Sequence, residues 1–137
     1  MATRAALCTV FVTLASCVLG SSSLARTVEG PDLWVVAEDD AEAIAVEVCR
    51  TFPQHLAAVE RWLGVRTEGR VTIHLVSSRE AMRLALGRWV REDHLGGCSP
   101  PGAMALRLDT LRNVPGLTLH PVLAHETVHH VVSQLPR

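Results

Sequence analysis

Three short runs of β-forming residues frame this chain: residues 32–37 (DLWVVA), 71–76 (VTIHLV) and 103–108 (AMALRL). The segments between them change to helical periodicity. Ile44, Val48, Phe52, Leu56, Val59 and Leu63 recur every three or four positions. That spacing predicts one apolar helix face over residues 41–63. Asp39 and Asp40 are suited to open the helix and Gly64 to stop it. Pro53 is expected to kink or split it, with Thr51 capping the second half. Ser77-Ser78-Arg79-Glu80 has the form of a capping box and predicts a helix to about residue 90. Residues 91–102 hold Gly-Gly, Pro-Pro and charges, and are expected to form a loop. A last helix is expected over residues 119–135, with Pro121 tolerable in its first turn. Strand, long helix, strand, helix, strand, helix permits an α+β or α/β layered arrangement. Trp34, Trp62 and Trp89 each lie in an apolar stretch and are expected in the core.

The first 25 residues stand apart. Met1 to Arg4 is short and basic, the next fifteen residues are apolar with only Thr and Ser interrupting, and Ser23-Leu24-Ala25 offers small residues to a signal peptidase. The run is short for a transmembrane helix. Leu14-Ala15-Ser16-Cys17 also has the form of a lipobox, in which a lipidated Cys17 would anchor the protein to a membrane. Either reading places residues 26–137 outside the cytoplasm as one small domain. Export would leave Cys49 and Cys98, which either form a disulfide or stay as two buried thiols. The 48% apolar content includes the leader, so the remainder is ordinarily globular. A net charge of -1 with no basic run argues against a nucleic-acid partner held through phosphates.

The chemistry lies in the last predicted helix, as His125-Glu126-Thr127-Val128-His129. Residues i and i+4 lie one turn apart on one helix face, so two imidazoles can converge on one ion. Glu126 leans over the same face, placed to take a proton from a metal-activated water rather than to ligate. Pro121 to Ala124 before the motif, and Val131-Val132 after it, make this a core helix with one polar face. His130 points about 100° from the second ligand and is expected to pack or be solvated. His74 reads as a half-buried strand residue, and His120 as capping or exposed.

The stretch from Leu123 to Val132 (LAHETVHHVV) resembles the active-site helix of the zincin metallopeptidases, in particular the peptidase MA-like gluzincins. Leu135-Pro136-Arg137 is similar to the start of the connection that leads, in those enzymes, to the third ligand. The resemblance implies an α+β fold: a zincin-like N-terminal subdomain, a small mixed sheet with long helices ending in the HExxH helix. It implies Zn2+ as cofactor, His125 and His129 as ligands, Glu126 as general base, and a peptide or protein substrate. It also implies that the strand carrying Ala103, Met104 and Ala105 is the sheet edge along which substrate lies.

No Glu or Asp follows Glu126, so the gluzincin third ligand is missing. The metzincin pattern would need Gly at 132 and His at 135, where Val132 and Leu135 stand. The resemblance therefore implies a chain truncated before the third ligand, unless a donor comes from elsewhere, for which His94 is the best placed. Two functions follow from this reading: an exported zinc peptidase, or a non-catalytic zincin-like binding module.

Overall fold

The computed structural model describes residues 25–100 and 102–136. The leader and the Cys17 lipobox lie outside the described residues. A five-stranded mixed sheet carries helices on both faces, an α+β arrangement. Its strands are β1 (Arg26–Gly30), β2 (Leu33–Ala37), β3 (Val71–Val76), β4 (Gly96–Ser99) and β5 (Ala103–Arg107). The helices are α1 (Glu42–Leu63), α2 (Arg79–Leu86), α3 (Leu108–Asn113) and α4 (Leu119–Ser133). The strand order is β1-β2-β3-β5-β4. β2, β3 and β5 run parallel, while β1 and β4 pair antiparallel at the two ends.

β1 was not among the expected strands. It pairs with β2 from Arg26↔Ala37 to Gly30↔Leu33, leaving Pro31-Asp32 as a two-residue turn. Proline fixes its own φ, and Asp32 adopts φ 56°, a left-handed conformation that Asp tolerates.

α1 runs unbroken through Pro53 rather than splitting there. Proline in a helix interior costs about 3 kcal/mol. Val48, Cys49 and Phe52 are all buried beside it, and each such side chain contributes about 1.5–3 kcal/mol, so burial wins. Pro53 itself is exposed. Thr51 opens no second helix; its hydroxyl donates to the Glu47 carbonyl at 2.9 Å, one turn back. Gly64 ends the helix at φ 67°, with its N–H donating to the Glu60 carbonyl.

α2 is shorter than expected. Ser78 is its N-cap, accepting from the Ala81 N–H at 3.1 Å. Glu80 does not close the box, since Arg83 holds it at 2.6 Å. Gly87 stops the helix at φ 63°, before Trp89. α1 and α4 pack on one sheet face, burying Leu33, Val35, Ile73, Leu75, Met104, Leu106, Phe52 and Leu123. α2 covers the other face at β3 and β5, through Val76, Met82, Leu86 and Ala105.

The tryptophans do not fill the core. Trp62 is 76% exposed on the outward side of α1 and Trp89 is 70% exposed beyond the end of α2. Trp34 lies on the open sheet face with the Arg70 guanidinium 4.3 Å from its ring centre.

Candidate functional site

α4 is held by its apolar stripe. Val122, Leu123, Thr127, His130 and Val131 are buried, and the helix packs against α1 and β4. The Thr127 hydroxyl donates to the Leu123 carbonyl at 2.6 Å, so a buried polar group is satisfied within the helix. His130 is buried, its Nε2 2.9 Å from the Gln134 side-chain nitrogen, and burial pushes its pKa down. It packs away from solvent and faces apart from the other two histidines of the motif.

His125 and His129 emerge on the exposed face, with Nε2 atoms 3.0 Å apart and rings edge-to-face. Two nitrogens bound to one tetrahedral ion at about 2.0–2.1 Å would stand about 3.3 Å apart. The pair therefore matches two corners of such a site. Among the described residues, no group of three His, Cys, Asp or Glu side chains comes together to hold an ion. Among the described residues, the donors grouped at this face are this His125–His129 pair.

Glu126 lies between the two histidines in sequence but is only 6% exposed. Burial pushes its carboxyl above the usual carboxylate range, while His125 and His129 pull the other way. A carboxylate raised by desolvation is a stronger base than a solvated one. It rests against β4. A Cβ on Gly96 would come within 2.6 Å of the Glu126 Cγ, so only glycine leaves room for this side chain. Cys98, two residues along on the same strand face, donates its S–H to the Glu126 backbone carbonyl at 3.1 Å. Burial, followed by the Glu126 charge, pushes this thiol up to about 12. It stays protonated and is a poor nucleophile.

Neither Cys98 nor Cys49 is in a disulfide; Cys49 sits in α1 with its sulfur against Gly30. The disulfide alternative is thus absent from the fold: one thiol packs beneath β1 and the other beneath α4.

The expected substrate edge also moves. β5, with Ala103, Met104 and Ala105, is flanked by β3 and β4. Met104 and Ala105 are fully buried and cannot present free backbone. The end strand beside the motif is β4, in the stretch expected to be a loop. Glycine is a poor strand former, which hid it. Gly96 is approached by Glu126 from one side, and Gly97 by Met82, Leu86 and Arg88 from the other. The Gly-Gly pair marks a strand clasped between two helices, a signal that close backbone approach provides.

A cleft of about 680 Å³ opens between β4 and α4, lined by residues that include His125, Glu126, His129, Gly96, His94 and Arg88. Arg107 pins the loop on its wall, donating to the Glu92 carbonyl at 2.7 Å and to Asp109. His94 is held there with a buried Nδ1 that has no hydrogen-bond partner among the described residues. His120 belongs to a different contact, its Nε2 lying 3.3 Å from a Glu47 carboxylate oxygen on α1. His74 is half-buried on β3, and burial lowers its pKa.

No family model matches the chain, and no curated protein or solved structure matches it.

Proposed function

We propose that this chain carries the metal-binding and general-base half of an exported zinc-dependent peptidase. One observation supports the reading above all: two histidine Nε2 atoms 3.0 Å apart, beside a buried glutamate, facing a cleft whose opposite wall is the end strand of a sheet. In this reading His125 and His129 hold Zn2+. When bound, the ion supplies Lewis-acid polarisation of a carbonyl and a more acidic water. Glu126 takes the water's proton and later delivers it to the leaving amine, and the desolvation that raises its pKa suits both steps. Gly96 and Cys98 hold that carboxylate against the sheet. The outer edge of β4 offers backbone N–H and C=O groups to an extended peptide, which orients the scissile bond along the cleft. Export by the N-terminal leader, with or without lipidation at Cys17, belongs to the same proposal.

A second reading, a non-catalytic zincin-like binding module, is favoured by the lack of a third ligand among the described residues. Cobalt titration separates the two. Co2+ binding with a His-ligand spectrum, lost in His125→Ala and His129→Ala, is expected for the metallopeptidase. Glu126→Gln should keep the metal and lose about 10²–10⁴-fold in peptide hydrolysis. Absence of a His-dependent cobalt spectrum at millimolar metal sinks the metal site. Metal binding with no Glu126-dependent hydrolysis leaves the binding module.

A further inference from the structure

Among the described residues, the cleft holds a charged side chain that no hydrogen bond or ion pair engages. Arg88 lines the wall and makes no hydrogen bond or ion pair among the described residues. Its charged neighbours in the cleft are otherwise engaged. Asp93 is held by Arg91 at 3.0 Å, and Glu126 is buried on the other side of β4. The Arg88 guanidinium lies over the edge strand, its Nη2 3.2 Å from where a Cβ on Gly97 would stand.

Strand geometry converts this placement into a specificity. Successive residues of β4 face opposite ways: Gly96 and Cys98 towards Glu126, and Gly97 towards α2 and Arg88. A peptide added to the edge of β4 must alternate in the same way. Residues directly opposite each other in paired strands share a face, with Cβ atoms about 4.5–5.5 Å apart. The side chain opposite Gly97 therefore stands beside the Arg88 guanidinium. Its two sequence neighbours point to the face that bears His125 and Glu126. Gly97 leaves that position open, since no β4 side chain intervenes.

Resting on the peptide-cleft reading above, we propose that Arg88 selects a ligand carboxylate one residue from the position facing His125 and Glu126. The cleft is thus built for acidic peptides. Arginine presents two parallel N–H donors to a carboxylate, which makes such a contact stronger and more directional than a lone charge. A carboxylate can come from an Asp or Glu side chain or from a peptide C-terminus, and both share this chemistry.

The test uses the full chain with a metal chelator, so that binding is read without hydrolysis. Fluorescence anisotropy would follow labelled peptides with a central Glu and an amidated end, a central Gln and an amidated end, and a Gln-ended free acid. The Glu peptide is expected to bind about tenfold tighter than its Gln counterpart at low salt, with the margin shrinking as salt screens it. Arg88→Gln should erase the margin between the Glu and Gln peptides. Arg88→Glu should reverse it in favour of a Lys peptide. A Gln-ended free acid that gains the same Arg88-dependent margin assigns the contact to a C-terminus; otherwise it belongs to the side chain. Equal binding of Glu and Gln peptides, a margin that survives Arg88→Gln, or no peptide binding at all overturns the inference. The cobalt titration is independent, so failure of the metal reading leaves this charge preference measurable.

Discussion

At the scale of single residues, the candidate base depends on an absence. Gly96 has no side chain, and the Glu126 methylenes occupy the space where one would be. Gly96→Ala brings a methyl to within 2.6 Å of Cγ, and neither the strand nor the helix can move without disturbing its neighbours. Overpacking of this kind costs about 1–3 kcal/mol, to be read as a lower urea midpoint at unchanged m-value. The cost should vanish in a Glu126→Ala background, because the clashing atoms are then gone. An additive double mutant would show that Gly96 serves some other purpose. None of this is legible in HExxH alone. The motif indicates which side chains meet one turn apart on a helix, but the neighbour that shapes the glutamate lies thirty positions upstream.

Among the elements, α2 shows how local signals and their limits divide. Ser78 and Gly87 define both ends of the helix, and each acts through its own backbone or hydroxyl. Ser78→Ala removes the acceptor of the Ala81 N–H and should cost about 1 kcal/mol, with Ser78→Asp retaining most of it. Chemical denaturation of the two variants checks this; equal losses would mean that the cap contributes nothing. β4 is the opposite case. Its residues, GGCS, have poor strand propensity, and what makes them a strand is β5 on one side and helices against both faces. The same topology moves the sheet edge from Ala103, Met104 and Ala105 to β4. Hydrophobic periodicity says that a run is a strand, not which of its sides is paired.

Across the whole molecule, stability should depend on pH through half-buried histidines. Burial lowers the pKa of His74, and burial together with nearby His120 lowers that of His55. The unfolded chain, with His near 6.5, therefore binds protons before the folded one does. Their contribution is complete above about pH 6.5 and is lost as pH falls through the lower folded values. A falling melting temperature between pH 7 and 5 is expected, with a shallower fall in His74→Gln. A melting temperature that is flat across this range, or identical slopes in the two proteins, would refute the assignment. Further loss below about pH 4.5 should come from carboxylates such as Glu60, which accepts from both the N–H and the hydroxyl of Thr67 at 2.7 Å. By itself the sequence determined what short-range forces decide. The strands within 32–37, 71–76 and 103–108 follow from β-forming runs, the helix stop at Gly64 from glycine's tolerance of left-handed φ, and the HExxH face from the helical repeat. Only the tertiary structure decided what contacts distant in sequence decide. The Pro31-Asp32 turn adds β1, the core carries α1 through Pro53, and both cysteines stay apart as thiols. β4 becomes the free edge, with Glu126 on one face and Arg88 on the other. Periodicity and propensity act over a few residues, whereas edge, cleft and partner are properties of which segments the buried core brings side by side.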